Sequence, residues 1–456
     1  MAGKEQLSLS GPYVVVALLA AAVALLTLMT RGSSIEDQYE GKRVLRVSFE
    51  MNLSEINEVW NSVKRDFEEL HPDVVIVLID DINNKSAIYE AANKLPDIIS
   101  TNTFSLHRYK NSILPLDDLV ARDRAEVQPD DFYPDIVESC RYEGELFLIP
   151  YFFNVSLLYY NIDMFAEAGV ALPTTDWTWV DYVDNAQQIT QFYRGQGVEK
   201  HGTTIVHGWW VEWLCHVNQA GGQFIGDDWH HSPMDSPEAI EGLKFFNDLV
   251  NVHKVSPKPK DILPYTFMNQ QAAMEWGGHT ENWVGMRKNA EFRWDVTLLP
   301  RHPSNQRGSE RVAVGMGINK NSPHQELAWE FIKYMASYES HRKLCAAGYV
   351  PVRQSVANDE FFKKDADGHH SVDPQNKGVI FEAYASALRD QSLLPEFPAL
   401  AQRHALPHIS AMLAGDLSAE ECGKAIAEEV TNALKMIDRP APKAAKLRPE
   451  DDHAGQ

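Results

Sequence analysis

The stretch Gly144-Glu-Leu-Phe-Leu-Ile-Pro-Tyr-Phe-Phe-Asn-Val-Ser-Leu-Leu-Tyr-Tyr-Asn161 decides how this chain is read. It predicts two short apolar strands, Leu146–Ile149 and Val155–Tyr160, joined by an aromatic corner of Pro150, Tyr151, Phe152, Phe153 and Asn154. Strands this apolar are expected to be covered on both faces. The corner's rings and its amide then sit on rigid supports, as ligand sites commonly do.

Upstream, Val44–Phe49 alternates as a strand, and Ser54 caps a helix whose apolar positions are Ile56, Val59, Trp60, Val63, Phe67 and Leu70. His71-Pro72 stops it, and Val74–Ile79 is a second buried strand. A short helix over about 86–95 and a third strand at Asp97–Ser100 complete the rhythm of a parallel, doubly wound sheet. Ligands of such sheets sit beyond the carboxyl ends of the strands. Two loops fall there, Glu50 to Ser54 and Thr101 to Thr103. Ser54 can serve equally as a helix cap or a binding group, whereas Glu50 and Asn52 have no such local task and are the better binding candidates.

Downstream the pattern is mainly helical. Asp163–Ala168 is closed by Gly169, and Thr178 with Asp181 forms a capping box for a helix to about Phe192. Ser236-Pro237, Ser322-Pro323 and Ser418 with Glu421 each open a further amphipathic helix. From Pro440 the Pro/Lys/Ala/Asp tail is expected to be disordered.

At 456 residues the chain is too long for one compact core and predicts two lobes. A formal net charge of −22 with no long basic stretch argues against nucleic acid and anionic membrane surfaces as partners. Cys140, Cys215, Cys345 and Cys422 are widely spaced, which fits isolated core thiols, one long-range disulfide being the alternative. Tyr13 to Met29 is uncharged and overwhelmingly apolar, flanked by Lys4 and Arg31, and reads as an export signal, cleaved or retained as a membrane anchor.

Two clusters carry binding chemistry. His207-Gly-Trp-Trp-Val-Glu-Trp213 offers indoles, whose flat faces suit the C–H surface of a pyranose and whose N–H is a donor. Trp209 and Trp213 are also spaced to share one core face. Glu275-Trp-Gly-Gly-His-Thr-Glu-Asn-Trp283 follows, with Gly277-Gly278 permitting close backbone approach and His279 and Trp283 beyond it. The other histidines lack companions at ligand spacing, so no metal is expected. There is no nucleophile elbow, phosphate-binding loop or dinucleotide fingerprint, and no cofactor is expected.

Several segments, taken in order, resemble the family-1 extracellular solute-binding proteins, the sugar-capturing subunits of ABC importers. They are YEGELFLIPYFFNVSLLYYNIDMFAEAGV, WTWVDY, NQAGGQF, AAMEWGG, VGMGINKNSPHQELAWEFIKYMAS and AAGYVPVR, and the similarity covers about 44–437. It implies an α/β, two-lobed periplasmic-binding-protein fold of type II, with doubly wound sheets joined by crossover hinge strands. Its divisions would be a short segment 1–12, an anchor 13–29 and a tether 30–43. Lobe one would take 44–152 and 296–352, lobe two 153–295 and 353–439, and the tail 440–456.

By the same resemblance, Glu50, Asn52 and Asn102 would offer polar partners from lobe one, and Tyr151 and Asn154 would lie at the crossover. Trp209 or Trp210 would supply a stacking platform, while Gly315, Met316 and Arg353 would approach the cleft on the return. The implied protein is a monomeric carbohydrate or polyol receptor outside the cytoplasm, serving an ABC permease and making or breaking no bond. A sensor of the same fold feeding a membrane kinase and an exported carbohydrate-active enzyme are the rival readings.

Overall fold

The computed structural model describes residues 41–49, 54–79, 88–90, 94–205, 208–261, 266–279, 282–304, 307–361, 374–387 and 396–437, with Tyr39, Ala92 and Leu394. The expectations for 1–38, for Glu50 and Asn52, and for the tail from Pro440 lie outside the described residues. No described helix is long and apolar enough to cross a membrane.

The predicted opening rhythm is present. β1 (Arg43–Ser48) pairs in parallel with β2 (Val74–Ile79) and meets β3 (Ile98–Asn102) at Val47↔Ile98. Between β1 and β2 runs α1 (Ser54–Leu70), which buries Trp60, Val63 and Phe67 against this sheet. β4 (Arg141–Tyr142) and β5 (Glu145–Leu146) form a small hairpin. Its turn residues Glu143 and Gly144 have φ of 52° and 91°, as a tight hairpin turn with matching twist demands.

The decisive stretch differs from its prediction. Leu146 belongs to that hairpin, and the aromatic corner is no corner: Ile149–Asn161 is one continuous strand, β6, buried at all 13 positions. The reason lies in its partners. β6 pairs over Ile149–Val155 with β9 (Arg311–Ile318), and farther on with β7 (Met274–His279) and β8 (Trp294–Thr297). Pro150 lacks an N–H for a ladder, and the register slips between Pro150 and Phe152 instead of the chain turning. The sheet order is β2-β1-β3-β9-β6-β7, with β8 also on β6.

Because successive side chains of a strand point to opposite faces, β6 serves two cores. Phe153, Val155, Leu157 and Tyr159 join a first cluster built on β1, β3, β9 and α1. Leu158 and Tyr160 join a second. That second core is packed by α2 (Ile162–Ala168), α3 (Trp179–Gly195), α4 (Trp210–Gln219) and α5 (Pro237–Asn251). α6 (Asn282–Asn289) lies against α1, and Trp283 and Met286 belong to the first cluster.

Local start signals are mostly where the sequence puts them. Thr178 with Asp181, and Ser418 with Glu421, both form reciprocal capping boxes, and Ser236 accepts from Ala239 N ahead of Pro237. Gly169 closes α2 at φ 67°. Ser322-Pro323 does not open its helix: α7 (Gln325–Ala336) starts later, because the Ser322 hydroxyl donates to Asp97 Oδ1 at 2.7 Å and accepts from His324 N at 3.0 Å. All four cysteines are buried free thiols, so the disulfide alternative is not realised.

Candidate functional site

Polar side chains on β6 fall where its two cores part. By strand alternation Asn154 and Ser156 share the face that leads to Leu158 and the second core, and both are buried. The backbone around Ser156 is pinned: its N–H donates to Glu310 O at 3.0 Å and its carbonyl accepts from Ser309 Oγ at 2.6 Å. Its own Oγ is buried and has no hydrogen-bond partner among the described residues. A buried hydroxyl left so normally finds a ligand or an ordered water.

The second element is the start of α4. Trp209 holds the N-cap position with extended φ/ψ of −127° and 145°, and its side chain does not cap the helix. Trp209 and Trp210 meet edge to face at 5.3 Å between ring centroids. Trp210 is wedged between Phe397, at 5.7 Å, and Phe104, at 6.2 Å, the latter on the turn after β3. Its Nε1 is buried without a hydrogen-bond partner among the described residues. Trp213, one turn on, is wholly buried in the second core, so the Trp-rich stretch divides between core and rim.

Glu212, on the first turn of α4, is the third element. It is only 5% exposed, and its carboxylate lies against Gly277, where a Cβ would collide with it. Gly277 has φ +83° and stands where the β6–β7 register slips between Leu157 and Leu158. Burial, with the charges of Glu275 and Glu310 added, holds the Glu212 carboxyl well above the usual carboxylate range. Burial alone pushes Glu275 up to about 7. His216, one turn below Glu212, stacks on Trp276 at 4.3 Å, and burial drives its pKa down to about 3, so it is neutral.

The remaining predicted residues distribute as follows. Asn102, at the end of β3, pairs with Val314 and accepts from Ser105 N at 2.9 Å through Oδ1. Tyr151 is in the first core, its hydroxyl 2.9 Å from Ser100 Oγ and its ring edge-on to Trp60. Gly315 and Met316 are interior to β9, between Ile149–Pro150 and Ser100–Thr101. Gly278 and His279 stand in register with Leu157 and Ser156 on β7. Trp283 is a fully buried member of the first core.

Arg353 is 1% exposed and directed inward: Nη1 pairs with Asp131 at 2.8 Å, Nη2 donates to Val127 O at 2.6 Å, and Nε to Ala336 O. Its guanidinium also covers the Phe132 ring. It ties a loop to the first core and offers no open face.

Three residues were not foreseen as site candidates: Phe104, Ser156 and Glu212. Glu212 had a signal, a lone acid in the otherwise apolar run Trp209-Trp-Val-Glu-Trp-Leu-Cys215. Among the described residues no group of three His, Cys, Asp or Glu side chains is placed to hold a metal ion. What these elements offer is a hydroxyl, an amide, indole surfaces and a carboxylate, groups that bind and orient.

Two hydrophobic cores that share one strand define a two-lobed architecture. Residues 53–341 match the family model of bacterial extracellular solute-binding proteins, and the chain belongs to that family. Among curated relatives it is 26% identical over 300 residues to an arabinooligosaccharide-binding protein of Halalkalibacterium halodurans, covering 62% of this chain and 64% of that one. It is 23% identical over 356 residues to a maltotriose-binding protein of Pyrococcus abyssi, covering 75% of this chain and 71% of the other. The match thus spans less than two thirds of the first relative. An ABC substrate-binding protein from Listeria monocytogenes, solved with cycloalternan, superposes with a TM-score of 0.74 at 22% identity, over 86% of this chain and 99% of that one. The fold is therefore the two-lobed one of periplasmic sugar-binding proteins.

Proposed function

We propose that this protein is an extracytoplasmic solute receptor that clamps a carbohydrate between its lobes and delivers it to an ABC importer. The observation that carries the reading is the contact of Trp210 with Phe104, on the turn after β3, at the start of the helix whose Glu212 rests on Gly277 of the strand paired with β6. Sugars present alternating C–H faces and hydroxyls, which call for aromatic surface and fixed hydrogen-bonding groups together. Relatives named for arabino-oligosaccharide and maltotriose binding support a carbohydrate ligand. Asn102 would reach the same ligand from the first lobe, and closure of the lobes would bury it without chemistry. Membership in an extracellular family favours the periplasm or cell surface, with the apolar segment 13–29 as signal or anchor.

Thermal unfolding of the full-length protein against mono- and oligosaccharides and polyols tests this. A ligand at a hundred times its Kd adds about 2.7 kcal/mol and raises the midpoint visibly. A selective rise with the sugar recovered intact is the expected result. Silence across the panel, or consumption of the sugar, would reject the proposal.

A further inference from the structure

We propose that the ligand carries a cationic nitrogen, as an amino sugar or amino polyol does, and that Glu212 pairs with it. The inference rests on the carbohydrate-receptor reading and narrows it to a substrate class.

Glu212 is nine-tenths buried beside the second core; its backbone carbonyl lies 2.7 Å from His216 Nδ1, but its carboxylate makes no hydrogen bond or ion pair with a described residue. No described lysine, arginine or histidine forms an ion pair with Glu275 either, and Glu310 adds a third carboxylate to the same surroundings. A buried carboxyl with no cation beside it is held neutral, and a cation brought next to it is what lets it ionise. A carboxylate in the first turn of a helix gains from the helix dipole, which explains a glutamate at this position. It does not explain burying that glutamate beside two others.

The location ties the charge to the ligand. Trp210, two residues before Glu212, touches Phe104 of the opposite lobe, so this end of α4 faces the junction between lobes. Glu212 itself rests on Gly277, in the strand paired with β6 next to Ser156. Ser156 is the independent sign of an occupant: its wholly buried Oγ lacks a partner among the described residues and lies on the β6 face that leads to the second core. A neutral hydroxyl would satisfy hydrogen bonds there but give the buried carboxyl no counter-charge with which to ionise. An ammonium group supplies donors and the opposite charge together, and its indole neighbours favour cations on their faces.

The test is calorimetric titration of the full-length protein at neutral pH with matched pairs: glucose and glucosamine, cellotriose and its fully amino counterpart, sorbitol and glucamine. The amino member of at least one pair is expected to bind about tenfold or more tightly than its neutral twin. Glu212→Gln is expected to erase that preference, and Glu212→Asp to keep part of it should the glutamine variant fail to fold. Equal or tighter binding of the neutral members overturns the cationic inference and leaves the carbohydrate reading standing. A preference that survives Glu212→Gln overturns the assignment to Glu212. Silence from both halves of the panel overturns both readings.

Discussion

The ring of Phe104 packs edge-on against the indole of Trp210, with 6.2 Å between centroids, and links the two lobes. Phe104 is 3% exposed yet belongs to neither hydrophobic core. An edge-to-face pair contributes about 0.5–1.5 kcal/mol beyond its area. Phe104→Ala is therefore expected to weaken ligand binding by roughly threefold to tenfold and, because the ring is buried, to lower the midpoint of urea unfolding as well. Calorimetric titration of the variant decides it, and unchanged affinity would make the contact incidental to closure.

Gly277 should tolerate no side chain. Its φ of +83° costs an L-residue about 1–2 kcal/mol, and a Cβ there meets the Glu212 carboxylate. Gly277→Ala is expected to lower stability by about that amount in urea, and to weaken ligand binding as Glu212 is displaced. A variant as stable as the parent, with full affinity, would contradict this account of the bulge.

Arg353 is expected to behave as a structural residue. Removing one partner of a buried ion pair typically costs about 3–5 kcal/mol, and Arg353→Ala would also orphan two backbone carbonyls. The expected result is a large loss of unfolding free energy with ligand affinity unchanged in whatever fraction remains folded. A fall in affinity without loss of stability would return Arg353 to the cleft.

Stability should vary with pH in two opposed ways. Glu275 is raised from its ordinary 4.5 to about 7, so its contribution is fully present below about 4.5 and is lost as pH rises to 7. His216 and His341 are lowered from 6.5 to about 3 by burial, so their contribution is present above 6.5 and is lost as pH falls toward 3. Glu275→Gln isolates the first effect. Its advantage over the parent should be near zero at pH 4.5, grow through pH 7 and then level off, reaching up to about 3 kcal/mol. Urea midpoints from pH 4 to 8 for both proteins measure it, and a flat difference would refute it.

What the sequence disclosed was local. Thr178 with Asp181 and Ser418 with Glu421 set helix starts through partners three residues away, and both boxes are found as read. The spacing of Trp60, Val63 and Phe67 likewise placed one face of α1 in the core. Ser322 misled because its hydroxyl is held by Asp97, 225 residues distant in sequence, and no spacing rule reports that. The aromatic corner misled for a related reason: β9, which holds Pro150–Asn154 in an extended ladder, lies more than a hundred residues downstream. Of the candidate site, the tryptophans and Asn154 were legible from composition. Phe104 was not, since its ring meets Trp210, more than a hundred residues downstream, and no local pattern reports that.

β6 gives its side chains to both hydrophobic clusters while its backbone pairs with β9 along one half and with β7 and β8 along the other. Neither lobe can melt alone without exposing a ladder and an apolar face that belong to its neighbour. Chains with two cores often unfold in separate steps. Here the common strand makes the cores thermodynamically one unit, so a single calorimetric peak is expected, with van't Hoff and calorimetric enthalpies in agreement. Damage anywhere along those 13 residues would then lower the melting of the whole molecule, which makes β6 the stretch least free to vary.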